Sequence, residues 1–218
     1  MVKIVEPSAS LIWVTPNAEK TIVDIARTCY KSEGTPESDA RLLQRLLANF
    51  HLAMFDHASA SIRFITDRGI SHEAVRHRKA NFAQESTRYC NYTQEKFGNE
   101  ITVVKPLGIT TTSYEAWIGA CKESERAYRQ LLDVCKDISP QVARSVLPTC
   151  LKTELVVTCT FSTWINFFRE RLSPRAHPDM VLLARQALEI LQIEAPNVFK
   201  EENIVDNDWW ARRRETQC

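Results

Sequence analysis

Five glycines and nine prolines among 218 residues are too few for a collagenous, solenoid or linker-rich chain. The seven cysteines (Cys29, Cys90, Cys121, Cys135, Cys150, Cys159 and Cys218) are odd in number and form no CxxC pair. Reduced thiols in a cytoplasmic protein fit that pattern better than a disulfide framework. None lies in a recognisable activating context, which argues against a thiolate nucleophile. A Walker A loop and a GxGxxG turn are both missing, so a triphosphate cradle or a Rossmann cofactor site is not expected. No window approaches the roughly 20 apolar residues of a membrane span. The opening MVKIVEPSASLIWV has no long apolar core behind a basic flank, and no signal peptide is expected. The formal net charge is only +1, without the basic excess of a general nucleic-acid binder.

What is present is an ordinary globular balance, 44% hydrophobic and 25% charged, long enough to bury a real core. NAEKTIVDIARTCY (17–30) places Ile22, Ile25, Ala26 and Cys29 at helical spacing, with Asn17 as a cap. SDARLLQRLLANFHLAMF (38–55) reads as a second helix with Leu42, Leu43, Leu46, Leu47 and Phe50 on one face and His51 near its end. In ASASIRFIT (58–66) the period changes to two, as in a half-buried strand. DRGISHEAVRHR predicts a short helix entered near Gly69 and Ser71. A strand at 100–106, a long amphipathic helix at 112–137 and a β-rich run at 151–161 follow. Ser139-Pro140 opens a further helix, as cap and first residue. STWINFFRERL is aromatic and basic, and DMVLLARQALEILQ (179–192) is a clear helix. The expected fold is α+β, an antiparallel sheet of sequence-distant strands flanked by long helices, in one domain over 1–218.

One stretch does not fit a purely structural reading. RHRKANFAQESTRY (76–89) puts Arg76, His77, Arg78 and Lys79 in succession, then Ser86, Arg88 and Tyr89. Cations at a helix C-terminus are favoured by the dipole, by up to about 1 kcal/mol each, but that leaves Arg88 and the polar run unexplained. A zinc site fails on spacing. His72 and His77 lie five apart, about 140° round a helix, where two ligands on one face need four. A nucleic-acid patch over Arg63, Arg68, Arg76, Arg78, Lys79 and Arg88 is interrupted by Glu73 and Glu85. A small-molecule anion pocket fits best. Ser86-Thr87-Arg88 offers two hydroxyls and a planar guanidinium for a phosphate, and Gln84-Glu85 beside them can accept from sugar hydroxyls or read a base edge.

Arg-His-Arg, seven intervening residues, Ser, then Arg-Tyr resembles the signature of the flavin-dependent thymidylate synthases. Three further segments resemble that family in the right order: HLAMFDH (51–57), VARSVLP (142–148) and TWINFFRERLSPRAHPDM (163–180). The resemblance implies reductive methylation of dUMP to dTMP, with methylenetetrahydrofolate as carbon donor and NADPH as reductant through bound FAD. It assigns His51, Arg76, His77, Arg78, Gln84 and Asn166 to the cofactor. It assigns Glu73, Arg76, Gln84, Glu85, Ser86, Thr87, Arg88, Arg144 and Arg171 to the nucleotide. Arg171 is expected to be the catalytic residue, favouring the N3-ionised uracil, because a permanent guanidinium stabilises developing negative charge. Neither a metal nor a covalent enzyme nucleophile is implied, and Ser86 reads as a phosphate ligand. The implied assembly is a homotetramer with shared active sites, with no membrane or nucleic-acid partner.

The chain departs from the family pattern in places. Thr160-Phe161-Ser162 stands where many relatives have Asn-x-Arg, Glu73 where some carry Gln, and Gln84 where some carry Glu. Trp164, Phe167 and Phe168 read as core or interface packing, and Trp209-Trp210 with Arg212–Arg214 as a terminal docking segment.

Overall fold

The structure is a computed structural model that describes residues 2–134 and 137–204. Cys135, Cys218 and the expected docking segment at 209–214 lie outside the described residues. The chain opens with strands β1 (Lys3–Val5) and β2 (Ser8–Val14), which its irregular apolar pattern does not announce. Helix α1 (Ala18–Thr28) buries Ile22 and Ala26 as expected, while Cys29 is exposed. Asn17 occupies the cap position at φ 48°, and its side chain makes no capping bond.

Helix α2 (Pro36–Ala48) is entered through a capping box between Thr35 and Ser38, with Pro36 pre-set at the first position. It buries Leu42, Leu43, Leu46 and Leu47, but stops well short of the expected Phe55. Asn49 Nδ2 donates back to Arg45 O at 2.8 Å, closing the last turn. Phe50 then takes φ 54°, a left-handed conformation that no helix continues through. Phe50 is accordingly not a core residue: it is 46% exposed, with the Arg169 guanidinium 5.3 Å from its ring centroid. A 3₁₀ turn over Leu52–His57 leads into β3 (Ser59–Asp67), and His51 is the residue before that turn.

Helix α3 (Arg68–Ala74) starts at Asp67, whose carboxylate accepts from Ile70 N at 2.8 Å. It ends at Val75, so the basic cluster does fall at a helix C-terminus and in the following loop. β4 (Asn81–Gln84), inside the signature itself, has no sequence forewarning. The remaining elements are β5 (Thr102–Val104), α4 (Thr111–Val134), α5 (Pro140–Ala143), β6 (Lys152–Thr160), α6 (Phe161–Arg171), α7 (Pro178–Glu194) and α8 (Glu201–Ile204). At α5 the expected proline stands at the first position, but the Ser139 side chain makes no capping bond.

The four-stranded sheet has the order β2-β3-β6-β4, and β1 pairs in parallel with β5. Ser61 of β3 meets Thr158 of β6 at 2.6 Å, and the sheet is antiparallel. The fold is α+β, as expected. By their contacts the residues form two compact units, each built from separated stretches. One takes the chain up to Ala9, Arg63–Arg76 and Phe82–Val156; the other takes Ser10–Ile62, His77–Asn81 and the described residues from Val157 on.

The first unit has its core where α4 lays Ile118, Cys121 and Tyr128 against Ile101, Val103 and Leu151. The second is organised by α6. Trp164, Phe167 and Phe168 are buried there, and the Trp164 indole donates to Ala60 O at 3.1 Å. Trp164 and Phe168 stack with centroids 5.6 Å apart. These rings are core packing, as their sequence context suggests, each stabilising the unit by roughly 1.5–3 kcal/mol through burial.

Candidate active site

The signature segment contributes to both units, and each part has its own surroundings. In the second unit, His77, Arg78 and Lys79 lie in the loop after α3. They line a concavity of about 540 Å³ together with Leu52, Ala53, Asp56, Ser162, Thr163 and Asn166. Residues nearly 90 positions apart in sequence thus meet in one pocket. His51 is exposed and does not line it, although its neighbours Leu52 and Ala53 do.

His77 is the buried member of the cluster, 7% exposed, with its ring 4.8 Å from that of Phe167. Arg171 Nε donates to His77 Nε2 at 2.8 Å, and Glu170 Oε2 lies 4.0 Å from the same nitrogen. Burial, with the Arg171 charge adding to it, pushes the imidazole down to about 4 against the weaker pull of Glu170. The ring is therefore neutral at physiological pH and accepts from the arginine. Arg78 and Lys79 are exposed, two mobile-tipped cations on one wall. Asn166 is exposed on α6 and donates to Glu170 Oε1 at 3.4 Å.

Asp56 had no role in the sequence reading. Its carboxylate accepts from Thr160 Oγ1 at 2.8 Å and from Ser162 Oγ. Thr160 and Ser162 thus form a hydroxyl–carboxylate cluster with Asp56, of which Asp56 and Ser162 line the pocket. Lys79, part of the basic cluster but not among the residues assigned by resemblance, lines the same pocket.

In the first unit, β4 delivers Gln84 and Glu85. Gln84 Nε2 donates to Ser71 Oγ at 2.8 Å and to Thr153 Oγ1 at 3.3 Å. Glu85 is heavily used by its own unit: its carboxylate accepts from Tyr92 Oη (2.8 Å), Lys152 Nζ (2.8 Å) and Glu154 N (3.3 Å). Arg68 Nη1 donates to the Glu85 carbonyl at 3.0 Å, holding the strand end. Ser86 Oγ accepts from Arg88 N at 3.3 Å, opening a turn over the next residues. Thr87 is buried, and Arg144 Nη1 donates to its hydroxyl at 3.2 Å. Arg88 is exposed, 5.5 Å from the Tyr89 ring centroid. Thr87, Arg88 and Arg144 thus belong to one unit, as a phosphate site would need. Glu73 lies half-buried on α3, and Arg76 is exposed just beyond its end. Among the described residues no group of three or more His, Cys, Asp or Glu side chains is placed to hold a metal ion.

The two settings present arginines and hydroxyls on an α+β fold, groups with the chemistry to hold anionic small ligands. The family described as thymidylate synthase complementing protein matches residues 10–197, and the chain belongs to that family. It is 30% identical over 206 residues to a flavin-dependent thymidylate synthase of Geobacter sulfurreducens, covering 88% of this chain and 85% of the relative. It is also 30% identical over 219 residues to one of Corynebacterium glutamicum (91% and 86% covered), and 28% identical over 214 residues to one of Clostridium tetani (87% and 84% covered).

Proposed function

We propose that this chain is a flavin-dependent thymidylate synthase, making dTMP from dUMP with methylenetetrahydrofolate as carbon donor, NADPH as reductant and FAD as bound cofactor. The observation that carries the reading is the meeting of the signature with α6: His77 and Arg78 share a pocket with Asn166, and Arg171 is bonded to His77.

The donor set suits a flavin nucleotide. About 540 Å³ lies within the range of cofactor pockets. Arg78 and Lys79 offer cations for phosphate or for an anionic reduced ring, and Asn166 offers an amide for hydrogen bonding. The Asp56 carboxylate is held by two hydroxyl donors, and Arg78 and Lys79 set two cations against its one charge in the same pocket. Arg78 and Asn166 would hold the cofactor with Arg76, Gln84 and His51, beside the buried His77 ring, and bound flavin would relay the hydride from NADPH.

The chain's own part is binding and charge stabilisation. Ser86, Thr87, Arg88 and Arg144 hold the dUMP phosphate. Glu73, Arg76, Gln84 and Glu85 face sugar and base. Arg171 lies against the uracil and favours its N3-ionised form, which raises electron density at C5, otherwise a poor nucleophile. No enzyme nucleophile is involved. Burial pushes the Cys121 thiol up to about 12 and raises Cys150 and Cys159, so none of these is a thiolate at neutral pH. The whole chain 1–218 acts as one catalytic domain in a cytoplasmic homotetramer with shared active sites.

The test is dTMP formation by purified protein given FAD, NADPH, methylenetetrahydrofolate and dUMP, with visible flavin absorbance followed in parallel. Protein that takes up no flavin and forms no dTMP would remove this reading. Arg171→Ala is expected to lose dTMP formation while retaining FAD.

A further inference from the structure

We propose that His77 is a positioning residue, whose ring nitrogen Nε2 holds the Arg171 guanidinium in the orientation that the uracil ring requires. The proposal rests on the reading of Arg171 given above. It moves His77 from a direct flavin ligand to a role exerted through another side chain.

The geometry starts with the 2.8 Å bond from Arg171 Nε to His77 Nε2. An arginine has only N–H donors, so the imidazole nitrogen facing it must be the acceptor, and the ring proton belongs on Nδ1. The ring cannot drift: it is 7% exposed and packs against Phe167, one helical turn before Arg171 on α6. A long, flexible side chain at a helix end is thereby fixed close to its terminal group. The bond to His77 thereby takes part of the ordering of that side chain away from the bound substrate.

The identity of the anchor matters as much as its place. A carboxylate at this position would hold the guanidinium more tightly, but would also cancel part of its field. A neutral imidazole orients the cation without itself cancelling any of the charge that faces the anion developing on the substrate. The charged groups facing His77 are Arg171 and Glu170 from α6, with Arg78 and Lys79 on its own loop. Three of the four are cations and favour the neutral ring. Protonation would remove the acceptor and set two like charges against each other.

Two variants separate this role from a packing role. In His77→Gln the amide oxygen reaches the position of Nε2; in His77→Asn it falls short, near the position of Nδ1. With saturating FAD, His77→Gln is expected to stay within about threefold of the parent kcat. His77→Asn is expected to lose about 30-fold in kcat, with a smaller change in KM for dUMP, as loss of one oriented bond in the transition state would produce. Flavin content should match the parent in both. Equal kcat in the two variants would overturn the proposal, as would a loss of bound flavin that accounts for the activity lost. A further readout needs no His77 variant: imidazole nitrogen shifts of the parent should show an Nδ1–H tautomer for one histidine, altered by Arg171→Ala. An Nε2–H ring at His77 would also overturn it. If Arg171→Ala keeps near-normal turnover, the reading of Arg171 itself is wrong. If that variant is inactive while the two His77 variants are equal, only the positioning role fails.

Discussion

Arg144 reaches across 57 positions of sequence to donate to the hydroxyl of Thr87, at 3.2 Å. An arginine tied to a hydroxyl through one Nη keeps further N–H groups for a phosphate, and Arg88 on the same turn adds a second cation. Arg144→Ala and Arg88→Ala should each raise KM for dUMP by about 10- to 100-fold, the worth of one or two charge-assisted bonds, with kcat little changed. The same variants compared on deoxyuridine, which lacks the phosphate, should differ little from the parent. A full KM effect on the nucleoside would place their contribution elsewhere.

Glu85 divides its carboxylate between Tyr92, Lys152 and the Glu154 amide. Replacing it by Gln removes the charge on which Lys152 and Tyr92 rely, and should lower stability by about 1–3 kcal/mol in denaturant unfolding. If the residue also faces the ribose, KM for dUMP will rise beyond what lost stability explains. Unchanged KM in folded Glu85→Gln would confine it to the scaffold.

The low affinity of His77 for protons makes stability depend on pH with a definite sign. Between about 6.5 and about 4 the unfolded chain's imidazole takes a proton that the folded one refuses. The unfolded state therefore binds more protons in that window, and stability falls as pH falls through it. Above the window the contribution is complete, and below it no more is lost. The loss is at most about 3 kcal/mol at about 1.4 kcal/mol per unit. His77→Gln should remove this component, so the stability difference between parent and variant should change across pH 6.5 to 4 and level off on either side.

Cysteine labelling offers an independent check on the core. Cys121 and Cys159 are buried and Cys150 half-buried, with thiols raised by burial; Cys29 is exposed. An alkylating reagent at neutral pH, followed by peptide mapping, should mark Cys29 in the folded protein well before those three. Rapid modification of Cys121 would contradict the packing of α4 against Leu151.

Where apolar spacing or β-rich composition was strong, the sequence was readable: α4, α7, the alternation of β3 and the β-rich run of β6 are all present near their expected bounds. The misreading at α2 has a specific cause. Phe50 continues the apolar face in the sequence, but the bond from the Asn49 side chain to Arg45 and a left-handed φ end the helix first. β1, β2 and β4 are short and take their conformation from neighbouring strands, so no local pattern marks them. In the site, the place of the basic cluster at a helix end and in the loop after it followed from the sequence, and the bond between Arg144 and Thr87 did not. The Asp56–Thr160–Ser162 cluster and the His77–Arg171 bond did not, because they join residues about 95 to 105 positions apart without any motif.

Arg68 has a consequence of a different kind. Its guanidinium donates to the Glu85 carbonyl and to the Thr153 hydroxyl, and its backbone N–H is shared between Thr149 and Leu151. These partners are neutral, so the cation is fixed in place with its field intact. A chain of nearly zero net charge thereby fixes one cation beside the Gln84–Thr87 stretch, where Lys152 pairs with the Glu85 carboxylate, and together these cations would favour a nucleotide phosphate. Capture of dUMP should accordingly slow with rising ionic strength more steeply than a formal charge of +1 would suggest.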